Sequence, residues 1–304
     1  MYRRTINALL LTGALLLAAS SIFGQVTGGR VTGTVTDPSA AMVRNAAVTL
    51  KAHSTGQLLT TQTNESGSYS FPNVAVGDYT LTVEAGGFQI STRELKVFLN
   101  QQTMLNLPLS VAAVQENVTV SATGQEIQTD SSQQLNSFSN DQIQQLPLFN
   151  DLNLLARLSP NVTRQSAGVH GVGGTVGGMR PHANSFNLDG VDNNDLVSTG
   201  PAVNVIQDAV EQFTLLRNNY NAEFGNGAAG QFNTITKSGS NDFHGSSFLY
   251  LQSHKLNASS SLEEQQLQNG QLTKLPFRKD ARYGFTLGGP IVKNKLFFFG
   301  AFQH

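Results

Sequence analysis

The stretch Gly168–Asp195, GVHGVGGTVGGMRPHANSFNLDGVDNND, concentrates the residue types in this chain that can do chemistry. Closely spaced glycines can cradle a phosphate, and closely spaced carboxylates can hold a cation. The spacing meets neither need. No Lys-Ser or Lys-Thr pair follows the glycines, as a phosphate-binding loop requires. A G-x-G-x-x-G fingerprint counted from Gly171 puts Val176 in its sixth position. Asp189, Asp192 and Asp195 lack the alternating ligand positions and the closing Glu of a calcium-binding loop. Asp-Gly and Asn are turn formers, and that use fits them better. The six histidines are scattered, no HxxE or HExxH pattern occurs, and there is no cysteine. With no nucleophile–base pair and no metal constellation, no enzyme, metal or cofactor is expected.

The elements around this stretch must then say what it is for. Charged residues are only 13 % of the chain, against roughly 25 % in soluble domains. Hydrophobic content, at 39 %, is too low for a helical membrane protein, and a net charge of −1 gives no electrostatic case for nucleic acid. At the N-terminus, Arg3 and Arg4 precede a short apolar run, Ala8–Ala19, followed by small residues. These are the parts of an export signal, assigned to residues 1–24, with cleavage after Ser21 or Gly24. The run is shorter than the about 20 residues of a transmembrane helix.

From residue 27 to 112 the hydrophobic period is two. Val31, Gly33 and Val35 alternate with polar residues; Tyr69 and Phe71 share one face, as do Tyr79, Leu81 and Val83. Leu105, Leu107 and Leu109 suggest a last strand. Asp37-Pro38, Asn64, Gly67 and Gly77-Asp78 punctuate. Short strands at regular spacing argue for a small β-sandwich. On Gly33–Pro38, Asn64, Gly67, Tyr69, Phe71, Gly77, Tyr79, Leu81 and Gly87-Phe88, this segment resembles the carboxypeptidase regulatory-like domain. The resemblance implies a seven-stranded, transthyretin-like sandwich and a spacer or docking role. Carbohydrate binding stays open, although no exposed aromatic platform stands out.

Residues 115–122, QENVTVSA, are an extended segment between polar flanks. Glu116, Asn117, Val118, Thr119, Val120, Ser121 and Ala122 suit strand addition to a partner's sheet edge, where backbone hydrogen bonds give affinity and alternate side chains selectivity. The same pattern also suits a last strand of the sandwich or of the next domain. It is similar to the TonB box of outer-membrane receptors. Residues 123–238 read as an α+β globule. A short helix is expected over Asp141–Leu146 and a second over Asp151–Leu158, capped by Asn150. Here Gly178–Pro181, Phe186–Asp192, Ala209–Phe213, Asn218–Tyr220, Ala222–Gly225 and Thr236–Gly239 resemble the plug of TonB-dependent outer-membrane receptors, in the Oar-like group that carries a regulatory-like sandwich in front.

Residues 239–304 end the chain. Phe243, Gly245, Ser247, Leu249 and Leu251 share one face, and Tyr283, Phe285 and Leu287 another. A long polar loop, 254–281, lies between, and GGPIVKNK turns the chain into the aromatic run Leu296–Phe302. Long loop on one side and short turn on the other is the asymmetry of an outer-membrane barrel. Of the three consecutive phenylalanines, Phe298 is expected to face the lumen and its neighbours lipid. The fold class expected is mostly β: sandwich, α+β plug, and the first strands of an incomplete barrel. About three strands cannot close, since barrels need at least 8, and an open edge is costly in lipid. The chain alone is therefore expected to form no pore and to be the N-terminal piece of a longer protein.

The resemblance implies an outer-membrane receptor whose partners are the periplasmic domain of TonB, outer-membrane lipid and a small ligand, whether iron chelate, oligosaccharide or peptide. It places TonB contact at Glu116–Ala122 and ligand sensing at Arg180, His182, Asn187 and Asp189, the last four serving equally as turn and wall residues. A carbohydrate- or peptide-binding surface module and a structural, adhesin-like protein are the alternatives.

Overall fold

The computed structural model describes residues 28–111, 119–121, 132–146, 148, 151–164, 170–195, 197, 199–220, 227–253, 260–271 and 279–304. The export segment lies outside them.

The alternating N-terminal segment forms eight strands: β1 (Gly28–Thr36), β2 (Ala47–Ala52), β3 (Leu58–Gln62), β4 (Ser68–Ala75), β5 (Gly77–Glu84), β6 (Ser91–Val97), β7 (Gln102–Met104) and β8 (Leu107–Pro108). β4, β1 and β7 make one sheet, with β8 also on β1; β3, β2, β5 and β6 make the other. The inward residues of both interlock: Val31 and Val35 with Tyr69, Phe71 and Val74 on one side, Val48, Leu50, Leu81 and Val83 on the other. Truncating a fully buried leucine such as Leu50 or Leu81 costs about 2–5 kcal/mol. The Asn64 side chain accepts the backbone N–H groups of Ser66 and Ser68 at 3.0 and 2.9 Å, which closes the turn before β4.

The expected strand through Leu105, Leu107 and Leu109 is broken. All three side chains are buried, but only Leu107–Pro108 is strand. The chain runs parallel to β1 in two short pieces. At the break Asn106 Oδ1 accepts the N–H of Thr34 at 3.0 Å, and Pro108 has no N–H to extend a ladder. Gly33 is required here: a Cβ would lie 1.9 Å from the Leu105 carbonyl.

A ninth strand, β9 (Thr119–Ser121), pairs in parallel with β6 and extends the second sheet to β3-β2-β5-β6-β9.

The middle module is built on a five-stranded sheet. Its elements are β10 (Gln134–Ser139), α1 (Asn140–Gln145), a 3-10 helix at Leu152–Leu158, β11 (Val162–Thr163), β12 (Thr175–Val176), β13 (Ser185–Leu188), β14 (Val191–Asp192), β15 (Asn194–Asp195), β16 (Gly200–Pro201), β17 (Val210–Asn218) and β18 (Gln231–Thr236). The order is β10-β17-β18-β13-β14, with β13 and β18 parallel. One face carries Phe186, Phe213, Leu215 and Phe232, with the Phe186 and Phe232 rings 4.8 Å apart. Ile143 of α1 and Leu152 and Leu155 of the 3-10 helix join this cluster. The second helix is thus tighter than expected. Its cap is Asp151, which accepts the Asn153 N–H at 3.0 Å, and Leu158 at its end is exposed.

The C-terminal ribbon is an antiparallel meander of β19 (His244–Ser253), β20 (Lys279–Val292) and β21 (Leu296–Gln303). Two expectations are corrected. The polar stretch between β19 and β20 contains a helix, α2 (Ser261–Gln268), started by a reciprocal Ser260–Glu263 capping box. β20 also continues through GGPIV, so the turn is only Lys293–Lys295. The longer strand resets the register. Phe298 lies opposite Gly289, and Phe302 opposite Phe285, so Phe298 shares the face of Leu249, Tyr283, Phe285 and Phe302. Phe299 lies opposite Gly288, on the other face, with its ring stacked on His244. Phe298 therefore points outward and its two neighbours inward, the reverse of the expectation.

Candidate functional site

Four features of this architecture bear on function: the edge strand β9, the polar face of the middle sheet, the glycine-rich loop beside it, and the outer face of the ribbon.

β9 supplies three of the seven residues singled out in the sequence. Thr119, Val120 and Ser121 lie opposite Thr92, Arg93 and Glu94 of β6. Glu116, Asn117, Val118 and Ala122 lie outside the described residues. An edge strand suits either of the uses its sequence allows.

The middle sheet is apolar on one face only. Across the other runs a row of small polar side chains: Ser137 on β10, Thr214 on β17, Asn233 on β18 and Asn187 on β13, each opposite the next. Ser137 Oγ lies 3.0 Å from Thr214 Oγ1, and Asn187 Nδ2 donates to Asn233 Oδ1 at 2.9 Å. Thr214, Asn233 and Asn187 are buried. Polar side chains inside a sheet module hold each other only while each finds a partner. This row was invisible in the sequence, where asparagines read as turn residues.

The four loop candidates separate in space and in role. Asn187 belongs to the buried row. Asp189 has φ 49° and with Gly190 turns β13 into β14. Its carboxylate accepts the backbone N–H and the hydroxyl of Thr236, both at 2.8 Å. Arg180 and His182 are exposed around the short 3-10 turn Pro181–Ala183. The glycines before them serve close packing: Gly173 has φ 90°, and a Cβ there would lie 2.5 Å from the Phe232 ring. Among the described residues no group of three or more His, Asp or Glu side chains is placed to hold a metal ion.

Sequence reasoning missed a cleft of about 540 Å³ where the three modules meet. His53 and Asp78 of the sandwich, Glu211 and Lys237 of the middle module, and His244 and Thr286 of the ribbon line it. Asn241 after β18 anchors this junction: its N–H donates to the Ser54 carbonyl at 2.9 Å and its Nδ2 to Asn294 Oδ1 at 2.8 Å. No local motif announces such a place, because each residue comes from a different part of the chain. Nearby, Asp208 is buried, with Oδ2 unpartnered among the described residues. Desolvation raises its pKa; the Lys237 charge and hydrogen bonds from its own N–H and Gln144 oppose that.

The outer face of the ribbon is apolar and uncovered. Leu249, Leu251, Tyr283, Phe285, Leu287 and Phe302 are each about half exposed or more. The inner face carries Ser246, Thr286 and glycines 284 and 288, where a Cβ would collide with neighbouring side chains or backbone, together with Phe248, Phe297 and Phe299. A continuous apolar outer face over a mixed inner face of small, polar and aromatic residues suits a barrel wall. No described helix is long and apolar enough to cross a membrane.

Comparison with known proteins gives two family matches. Residues 30–110 match the carboxypeptidase regulatory-like domain, and residues 235–304 match an outer membrane β-barrel domain. The TonB-dependent transporter Oar of Myxococcus xanthus is 28 % identical over 98 % of this chain, and the chain spans 29 % of that protein's length. Among solved structures, the siderophore receptor PirA of Acinetobacter baumannii aligns with TM-score 0.42 and 20 % identity, over 56 % of this chain and 24 % of its own. A catechol 1,2-dioxygenase from an Acinetobacter species aligns with TM-score 0.25 and 11 % identity, over 33 % of this chain and 60 % of its own. The fold is mostly β, as expected, with an open three-stranded ribbon and no closed barrel among the described residues. The chain thus belongs at the outer membrane, carries a match to the carboxypeptidase regulatory-like domain followed by a match to an outer membrane β-barrel domain, and is similar along nearly its whole length to a TonB-dependent transporter.

Proposed function

We propose that this chain is the N-terminal portion of a TonB-dependent receptor that takes up a ligand across the outer membrane with energy delivered through TonB. In this reading residues 123–238 are the plug, the ribbon begins the barrel around it, and Glu116–Ala122 is the segment that TonB grips. The similarity to the Myxococcus transporter across 98 % of the chain carries the proposal. The order of parts supports it: sandwich, an edge strand attached to it, mixed sheet with a polar face, then a ribbon with an apolar outer face. Pulling on a strand just ahead of the middle module loads that module first. A sheet whose polar face is held by side-chain hydrogen bonds can exchange those partners for water when it shifts, which a greasy face cannot do cheaply.

Ligand sensing belongs, in the same reading, to Arg180 and His182, which are exposed and whose side chains make no hydrogen bond or ion pair among the described residues. Asn187 and Asp189 contribute by holding the loop that presents them. The ligand is a small molecule or peptide with hydrogen-bonding groups, within the range of iron chelates, oligosaccharides and peptides.

Capture of the isolated periplasmic domain of TonB tests the reading. The chain in detergent is expected to retain that domain, and Val118→Pro, which removes a backbone donor and restricts the preceding residue, is expected to abolish retention. Equal capture by the variant would overturn the assignment.

A further inference from the structure

A strand in a sheet has two edges, and β6 uses both. One pairs with β5 along seven residues, and the other carries β9. β9 is the last strand of its sheet, so among the described residues its outer edge is unpaired. The pairing is parallel, with Thr92 opposite Thr119, Arg93 opposite Val120 and Glu94 opposite Ser121. Peptide groups alternate in direction along an extended strand. Bonds made to β6 on one side leave a second row of N–H and C=O groups facing away.

We propose that the sandwich presents this strand: the periplasmic domain of TonB adds to the outer edge of β9 and becomes the next strand of β3-β2-β5-β6-β9, without stripping β9 from β6. The proposal rests on reading Glu116–Ala122 as the TonB-contact segment, and it gives the sandwich a part in that contact. A free segment must first be fixed in extended form, and binding bears that loss of freedom. A strand already held on one side has lost it beforehand, so association is stronger for the same backbone bonds. The stretch of β6 that β9 covers carries Arg93 and Glu94, charged side chains of the kind that keep a sheet edge from pairing indiscriminately. The opposing arrangement is storage, in which TonB and β6 compete for one edge of the strand.

A disulfide separates the two, because the chain has no cysteine of its own. Arg93→Cys and Val120→Cys are introduced together into the full chain, and affinity for the isolated TonB domain is measured in detergent before and after reduction. The cross-link is expected to form, and the oxidised chain to bind as tightly as the reduced one or up to about tenfold more tightly. Oxidised binding at least about tenfold weaker, restored by reduction, would show storage and overturn the proposal. Failure to cross-link while the reduced chain still binds overturns the β6–β9 pairing and leaves the TonB-contact reading standing. A cross-link with no binding in either state removes that reading and the proposal with it. Hydrogen exchange on the unaltered chain gives a second measure. Amides of Thr92–Glu94 are expected to stay protected when TonB binds while Thr119–Ser121 gains protection; loss of protection in β6 overturns presentation.

Discussion

The side-chain Oε1 of Gln212, buried in β17, accepts the backbone N–H of Leu99 from the turn after β6, at 3.0 Å. Two residues further on, Gln101 Nε2 donates to Ser137 Oγ at 3.0 Å, at the end of the polar row. The sandwich therefore seats itself on the polar face of the middle sheet. Leu99, itself fully buried, belongs to neither apolar cluster and fills the seam between them.

Gln212→Leu should loosen this seat without unfolding either module. It leaves the Leu99 N–H buried and unpaired, at a cost of about 1–3 kcal/mol. Gln212→Glu keeps an acceptor and should cost less at acid pH, where its carboxyl is protonated; ionised, it would be a carboxylate placed at a buried site. Limited proteolysis with an acid-active protease reads the difference: faster release of an intact sandwich from the leucine variant, and cleavage of the glutamate variant closer to the unaltered chain. Equal cleavage of all three would mean that other contacts hold the seat.

Asp189 tests whether a loop residue chosen from the sequence serves the ligand or the fold. Its φ of 49° is tolerated by Asn but strains Ala, and its carboxylate holds both groups of Thr236. Asp189→Ala should destabilise the middle module by about 1–3 kcal/mol. Asp189→Asn, which keeps one acceptor and the turn, should lose less. Chemical denaturation without any ligand checks both. A large loss on Ala with little loss on Asn assigns the residue to the turn; full stability in both variants would return it to the ligand-sensing candidates.

Asp208 gives a pH dependence with a definite sign. Burial raises its pKa above the ordinary 3.8, against the pull of Lys237. The folded chain thus holds the proton more tightly than the unfolded chain. The resulting stability is complete below the ordinary value and is lost as pH rises through the raised one. Asp208→Asn should therefore stabilise the middle module at neutral pH and change little at about pH 3. Thermal unfolding from acid to neutral pH would show the two curves converging on the acid side; a constant gap, or convergence at neutral pH, contradicts the sign.

These residues also show what the sequence could convey. Alternation is local, so Tyr69 and Phe71, Tyr79 and Leu81, and Tyr283, Phe285 and Leu287 announced their strands and faces. Turn chemistry is local too, and Asp189-Gly190 turned where such a pair should. Register is not local. Phe298 faced outward because β20 runs on through Gly289, Pro290 and Ile291 before turning, which the Gly-Gly-Pro motif concealed. Gln212, Asn187 and Asn233 owe their burial to strands far off in the chain, and their residue types suggested solvent. The cleft at the module junction and the attachment of β9 to β6 likewise depend on contacts that no single segment contains.

Phe298 and Phe299 allow that register to be tested directly, since the chain has no tryptophan and either can be replaced by one aromatic reporter. Phe298 shares its face with Phe285 and Phe302, whose rings lie 5.9 Å apart; Phe299 is stacked on His244 at 6.3 Å. If the first face meets the membrane, the fluorescence of Phe298→Trp in brominated detergent should be strongly quenched and that of Phe299→Trp largely spared. Phe285→Lys should in addition weaken membrane assembly of the ribbon, since a lysine near the bilayer midplane on a lipid-facing strand costs about 2–4 kcal/mol. The opposite quenching pattern would restore the lumen-facing assignment of Phe298. Equal quenching would mean that neither face is shielded and that the ribbon does not close against the middle module, because an aromatic turned toward a packed interior is out of reach of the detergent chains.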